Sequence, residues 1–174
     1  IIKEQYSTFT KDTKVIYKHN IVVEIESDTS DESVTKPFAV YLSGIDTNGD
    51  ITEQGRSDVN IVAVVNPTSH QVLLITTPRD YYVPIPGVSG GQDDKLTHAG
   101  IYGINVCMDT LNMLYDTDIN YYFRLNFAGF VQIIDALGGI TVDSDYDFTT
   151  QNSSGYHFTK GPNQVNGDQA LAFC

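Results

Sequence analysis

The sequence predicts an α/β fold: a three-layer α-β-α arrangement around a mixed central sheet. Three observations predict it. Short apolar runs of strand length, at Phe38 to Leu42, Val59 to Val65, Gln71 to Thr76 and Ile119 to Leu125, give way further on to segments with helical spacing. The second and third runs are separated only by a turn at Asn66-Pro67-Thr68-Ser69, so they form an antiparallel hairpin and make the sheet mixed. The chain, 174 residues at 41% hydrophobic, has the size and composition of one globular domain able to bury roughly two-thirds of its unfolded surface.

Taken in order, residues 1–36 read as a separate opening. Val15 to Tyr17 and Ile21 to Ile25 are β-like, with Ile21, Val23 and Ile25 on one face. The polar, acidic run Ser27 to Ser33 then reads as a linker that ends at Lys36-Pro37. A strand and a half buries no core of its own, so 1–36 is expected to be the remnant of an N-terminal accessory region, with the main domain at 37–174.

Phe38 to Leu42 is apolar on both faces and is expected to be buried on both. Gly44 then allows a sharp turn, which leaves Asp46 on the loop beyond the strand. Residues 47–57 are polar and loop-like. After the hairpin, residues 83–94 hold two Pro and three Gly and read as an irregular loop. Ile101, Ile104, Met108, Leu111 and Tyr115 keep helical spacing, but Gly100 and Gly103 place the regular helix nearer Asn105. Ile119 to Leu125 is a strand. Phe127, Phe130, Val131, Ile134 and Leu137 form an amphipathic helix that stops at Gly138-Gly139. Ile140 to Val142 starts a further strand, 149–164 reads as loop, and Asn166 is placed to cap a last helix.

The charge excludes some functions. The chain carries −12, and after Lys36 it has fifteen acidic residues against five basic ones, Arg56, Arg79, Lys95, Arg124 and Lys160. Non-specific nucleic-acid binding needs many phosphate contacts from Lys and Arg, so nucleic acid is not an expected partner. No stretch reaches the ~20 apolar residues of a membrane-spanning helix. Cys107 and Cys174 read best as two buried free thiols. No HExxH, Walker or GxGxxG pattern is present, and no two His have the spacing of metal ligands.

The informative stretch is Tyr41 to Ala99. Three of the five late cations, Arg56, Arg79 and Lys95, fall in it beside Asp46 and Asp58. Two carboxylates brought within ~4 Å repel by about 4 kcal/mol at an effective dielectric near 20, and a cation between them relieves this. Mg²⁺ suits such a pair, because it binds one or two carboxylates plus phosphate oxygens and water. Arg offers a fork of donors to phosphate oxygens, and Lys a point charge. A plainer reading stands beside this one: Asp46 as a turn residue, Asp58 at a strand start, and the cations in surface ion pairs such as Arg79 with Asp80 or Lys95 with Asp93. Spacing alone leaves both open. His98 reads as a packing or capping residue, and Arg124 as an ion pair at the sheet edge.

The motifs taken together resemble the LytR–CpsA–Psr (LCP) family of bacterial cell-envelope proteins. The residues that carry the resemblance are Leu42-Ser43-Gly44-Ile45-Asp46, Gly55-Arg56-Ser57-Asp58 before Asn60-Ile61-Val62, Thr77-Pro78-Arg79-Asp80, Lys95-Leu96-Thr97-His98-Ala99, Asp135 to Val142 and Asn166 to Ala172. They span about 37–174 in the family's order and spacing.

The resemblance implies a phosphotransferase that moves a glycopolymer (capsule, teichoic acid or a related polysaccharide) from a polyprenyl-pyrophosphate carrier to peptidoglycan. It implies Asp46 and Asp58 as Mg²⁺-linked carboxylates, Arg56, Arg79 and Lys95 as the pyrophosphate binders, and Asp58 and Arg79 as catalytic. It also implies an apolar tunnel for the lipid, and a membrane anchor outside this sequence that holds the domain at the extracellular face of the cell membrane.

Two departures are noted. The family pattern continues after Ala-Leu-Ala-Phe with an Arg-x-Arg pair, whereas this sequence ends at Cys174, so weak or absent activity is expected of this piece. The family's Gly-Gly is Gly103-Ile104 here. A non-catalytic module that binds the lipid carrier is the alternative. A transcription regulator lacks a basic reading helix, and a two-carboxylate glycosidase leaves the clustered cations without a role.

Overall fold

The computed structural model describes residues 16–18, 21–24, 36–47, 49–151 and 155–174. The acidic linker at Ser27 to Ser33 lies outside the described residues. The chain divides into two compact units, Ile1–Asn126 and Phe127–Cys174.

In chain order the first unit contains strands β1 (Ile16–Lys18), β2 (Ile21–Glu24), β3 (Phe38–Ile45), β4 (Ser57–Asn66), β5 (Gln71–Thr76), β6 (Tyr82–Pro84) and β7 (Asp93–Lys95). A 3-10 helix (Leu96–Tyr102), helix α1 (Ile104–Tyr115) and strand β8 (Ile119–Leu125) follow. Six strands form one sheet in the order β1-β2-β8-β3-β4-β5. β3 and β8 run parallel, and the other neighbours are antiparallel, so the sheet is mixed as expected. β1 and β2, from the opening segment, extend this same sheet through the pairing of β2 with β8.

β3 departs from the expectation of burial on both faces. Ala39, Tyr41, Ser43 and Ile45 are buried, and the alternate residues are half-buried. Nor does Gly44 turn the chain. The strand continues through it to Ile45, and a Cβ at Gly44 would come within 2.9 Å of Val59 Cβ on β4. Glycine is required there by the close approach of the neighbouring strand.

The buried row of β3 meets α1. Tyr41, Val62, Val83, Ile85, Leu96, Ala99, Cys107, Leu111 and Ile119 share one core. Cys107 and Leu111 are one helical turn apart, so both fall on the buried stripe of α1. Burying Leu111 alone is worth about 1.5–3 kcal/mol. The helix ends at Asp116, whose left-handed backbone (φ 49°) lets its N–H reach the Asn112 carbonyl.

The second unit contains α2 (Phe127–Ala136), β9 (Ile140–Ser144), β10 (Phe148–Thr149), β11 (His157–Phe158), β12 (Gly161–Val165) and α3 (Gly167–Phe173). Its core joins Ile134, Phe158, Val165 and Ala170, with Phe148, Phe158 and Phe173 in ring contact. The expected Asn166 cap is present as a full capping box: its side chain accepts from Gln169 N–H, and Gln169 returns the bond. Gly167 N–H also donates to Asp135 at 2.8 Å, so Asp135 anchors the start of α3.

Two stretches read as loop contain strands. β6 pairs with β7 across 82–95; β11 and most of β12 lie inside 149–164, where β11 pairs with β10 and β12 pairs with β9, the strand expected from Ile140. Their Gly, Pro and Asn content hides the pairing. Pro162 is tolerated because β12 belongs to a two-stranded ribbon.

Both cysteines are free, but only Cys107 is buried; Cys174 is exposed. Burial pushes the Cys107 thiol up to about 11. A thiol-counting assay on the native chain at pH 8 should therefore find one fast thiol, with the second reacting only on unfolding. Two fast thiols would contradict this packing.

Candidate active site

The site is built where β4 begins. β3 and β4 pair in register from Phe38↔Val65 to Gly44↔Val59 and then shift to Ile45↔Ser57, which leaves Asp58 as the extra residue of a β-bulge. A bulge re-aims a side chain that a regular strand would hold in alternation. Ser57 and Asn60 on either side remain buried, while Asp58 is half-buried. Asp46 follows β3 directly, and its N–H donates to the Arg56 carbonyl at 3.3 Å. The ends of two adjacent strands thus carry Asp46, Arg56 and Asp58 together.

A buried polar network supports this corner. The Tyr41 hydroxyl donates to Asn60 Oδ1 at 2.6 Å and lies 2.7 Å from Ser57 Oγ, which is itself 3.1 Å from Ser43 Oγ. Asn60 Nδ2 donates to the Ser57 carbonyl at 3.0 Å. Burial pushes the Tyr41 phenol well above its ordinary value, so it stays protonated and a donor. Gly100 of the 3-10 helix packs on the backbone of 55–57. A Cβ there would overlap the Gly55 carbonyl oxygen and lie 2.7 Å from Ser57 N.

Arg79 and Thr97 converge on Asp58. Arg79 Nη1 donates to Asp58 Oδ2 at 2.9 Å, and Thr97 Oγ1 donates to Oδ1 at 3.1 Å. Thr97 N–H also donates to the Arg79 carbonyl at 2.9 Å, which ties the 3-10 helix to the segment after β5. Lys95 Nζ is 2.6 Å from Asp80 Oδ1, and Arg79 Nε is 3.8 Å from Asp80 Oδ2.

Lys95 holds the Asp80 carboxyl below the usual range, by hydrogen bond first and charge second. A depressed carboxylate contributes its stabilisation above its unfolded pKa and loses it as pH falls through the folded value, so this pair is intact at neutral pH. Asp94 is likewise held low, chiefly by the Lys95 N–H and then by His98, whose Nδ1 is 2.8 Å from Asp94 Oδ1. Arg56 is exposed and makes no ion pair among the described residues.

The structure therefore joins Asp58, Arg79 and Lys95 in one chain of contacts through Asp80, and sets Asp46 and Arg56 at the adjoining strand ends. The sequence missed Thr97, Asp80 and the Asp94–His98 pair as members. Apart from its place in the Thr77-Pro78-Arg79-Asp80 motif, Asp80 reads from the sequence only as a surface partner for Arg79. Lys95 pairs with Asp80 rather than Asp93.

No group of three or more metal-type ligands occurs among the described residues. Two carboxylates fit a cation that takes its remaining oxygens from water and phosphate, which is the habit of Mg²⁺ rather than of a metal held in a protein cage. Arg79 and Thr97 each use one lone pair of Asp58, and each carboxylate oxygen has another.

Arg124 requires a correction. It is not at an edge, since β8 lies between β2 and β3. It is 7% exposed and has no ion pair among the described residues.

The model of the LytR_cpsA_psr family matches residues 2–174. The chain is 44% identical over 140 residues to the polyisoprenyl-teichoic acid–peptidoglycan teichoic acid transferase TagU of Enterococcus faecalis, covering 79% of this chain and 45% of that one. To the enzyme of that name from Bacillus cereus it is 39% identical over 142 residues, covering 81% and 45%. It thus spans a little under half the length of these relatives.

Among solved structures it superposes on Bacillus subtilis TagV with a TM-score of 0.74 at 30% identity, over 81% of this chain and 56% of that one. It superposes on TagT (YwtF) with bound octaprenyl pyrophosphate lipid with a TM-score of 0.69 at 28% identity, over 89% and 61%; that protein is from Bacillus subtilis. A further TagT structure is bound to LI-WTA and gives a TM-score of 0.70 at 28% identity, over 89% and 59%. The α/β fold, the mixed sheet and the match across almost every residue lead to one conclusion: the chain belongs to the LytR_cpsA_psr family.

Proposed function

We propose that the protein of which this chain forms part transfers a glycopolymer of the teichoic acid class from a polyprenyl-pyrophosphate carrier to peptidoglycan, at the extracellular face of the cell membrane. The observation that carries this reading is the convergence of Arg79 and Thr97 on bulged Asp58, with Lys95 one carboxylate away. The relatives named as teichoic acid transferases, and the TagT structures with octaprenyl pyrophosphate and LI-WTA, support the same ligand.

The chemistry follows from the charges. A peptidoglycan hydroxyl attacks the phosphorus that bears the sugar. A new P–O bond forms, the bond to the bridging oxygen breaks, and polyprenyl phosphate leaves with that oxygen. Arg56, Arg79 and Lys95 bind the pyrophosphate and offset the charge that grows on the leaving phosphate. Arg79 and Lys95 begin in pairs with Asp58 and Asp80, so binding exchanges carboxylate partners for phosphate oxygens without desolvating a free cation. Asp58, released from Arg79, is positioned to take the proton of the attacking hydroxyl. Asp46 and Asp58 are the residues to hold Mg²⁺, which when bound supplies positive charge to the pyrophosphate oxygens.

The test is calorimetric binding of a polyprenyl pyrophosphate to the full-length protein, with Mg²⁺ and with EDTA, for the parent and for Asp46→Asn. Tight binding that weakens at least tenfold both with EDTA and in the variant supports the assignment. Equal binding in all arms removes Mg²⁺ and Asp46 from the site. Binding without any transfer to peptidoglycan favours a carrier-binding module.

A further inference from the structure

The Asp94–His98 pair borders the cation cluster, and nothing in the transfer reaction has yet given it a task. Asp94 lies in β7. His98 lies in the 3-10 helix, one residue beyond Thr97, whose hydroxyl holds Asp58. His98 Nδ1 is 2.8 Å from Asp94 Oδ1, and the same oxygen accepts the Lys95 N–H at 2.7 Å. Those two contacts hold the Asp94 carboxyl below the usual range, so it is ionised at neutral pH and can only accept. Nδ1 therefore carries a hydrogen and donates it. The second ring nitrogen, Nε2, has no hydrogen-bond partner among the described residues, and 32% of the side chain is open to solvent. A carboxylate that fixes one ring nitrogen and so aims the other is the arrangement of a histidine that moves protons.

The charged groups around the ring belong to the site. The charge of His98 acts on two carboxylates, Asp94 from β7 and Asp80 from the segment after β5. Lys95 and Arg79 are each paired with Asp80. These are the cations that exchange Asp80 and Asp58 for phosphate oxygens when a pyrophosphate binds, so the leaving phosphate comes to the neighbourhood of His98. The chemistry there suits a proton donor. A phosphate monoester has its second pKa near ~6 and an ordinary imidazole near ~6.5. A donor and acceptor so closely matched exchange a proton with little penalty.

We propose that His98, oriented by Asp94, is the general acid that protonates the leaving polyprenyl phosphate, a role that rests on the transferase reading. As the bond from phosphorus to the bridging oxygen breaks, that oxygen takes the proton from His98 Nε2 and departs in a phosphate monoanion. His98 is left neutral, with its hydrogen on Nδ1 toward Asp94. The proton of the attacking hydroxyl is then on Asp58, and its return to His98 through water restores both groups. Atoms and charge balance without a further reactant.

The test is the pH dependence of kcat for transfer from a polyprenyl-pyrophosphate-linked teichoic acid to peptidoglycan. It uses the full-length protein as parent, His98→Gln and Asp94→Asn, with polyprenyl pyrophosphate binding measured alongside. Glutamine can still donate to Asp94 but cannot deliver a proton. The parent is expected to lose rate as pH rises through the imidazole range. His98→Gln should lose that limb and about 10²-fold of kcat on its acid side, with binding kept within about threefold. Asp94→Asn frees the ring to turn, so it should lower kcat by about fivefold or more and keep the limb. A drop in kcat that leaves the limb in place in His98→Gln makes the residue structural and overturns the proposal. A His98→Gln enzyme within about twofold of the parent at every pH overturns it too, as does a limb that rises with pH and vanishes in His98→Gln, the mark of a base. A parent that forms no product defeats the transferase reading and this role with it, whereas an active parent confines any failure to His98.

Discussion

Replacing Arg79 with Ala in the full-length protein is expected to lower glycopolymer attachment by roughly 10²-fold or more, the usual scale for losing one donor aimed at charge that develops in a transition state. The same change should barely affect folding. The Arg79–Asp58 bridge is half exposed on the arginine side, with 54% of that side chain accessible, and such a bridge contributes about 0–1 kcal/mol. Measured together, transfer rate and urea midpoint separate function from stability. A variant that transfers within about twofold of the parent removes Arg79 from the chemistry, whatever the midpoint does. Arg79→Lys sharpens the result: it keeps the charge but loses the fork that reaches both Asp58 and Asp80, so it should recover only part of the rate.

Tyr41→Ala should cost about 3–5 kcal/mol, because it empties a fully buried aromatic site in the main core. Tyr41→Phe keeps the ring and loses only the hydroxyl. Asn60 Oδ1 retains the Ser57 hydroxyl at 2.9 Å, so the expected cost is nearer 1–2 kcal/mol. Both figures are read as differences in urea unfolding free energy. The pair also tests how the site is held: Ser57 and Asn60 flank Asp58, so Tyr41→Phe should change transfer more than its modest stability loss explains. If Tyr41→Phe is as costly as Tyr41→Ala, the network rather than the core carries the energy. If it alters neither stability nor transfer, the network does not support the site.

Much of the fold was legible because it rests on local pattern. β5 and β8 appear at the residues their apolar runs occupy, Gly138-Gly139 follows α2, and Asn166 caps α3. These signals act over a few residues, so composition and spacing reveal them. The family was legible for a related reason: its motifs keep their order along the chain.

The sequence by itself determined the α/β class, the hairpin that makes the sheet mixed, the family, and the residue types gathered between Tyr41 and Ala99. Tertiary structure alone decided the partners. Asp58 is singled out by a register shift between β3 and β4, which depends on how two strands align. Thr97 and Arg79 reach it from segments 39 and 21 residues away. Gly44 looked like a turn residue and Gly100 like a weak point at a helix start, yet each is needed where another backbone or side chain comes too close for a Cβ. Arg124 looked like an edge residue because nothing local shows that β2 pairs outside β8. Short-range preferences are written residue by residue; cross-strand register and the burial of a charge come from chain segments meeting in space.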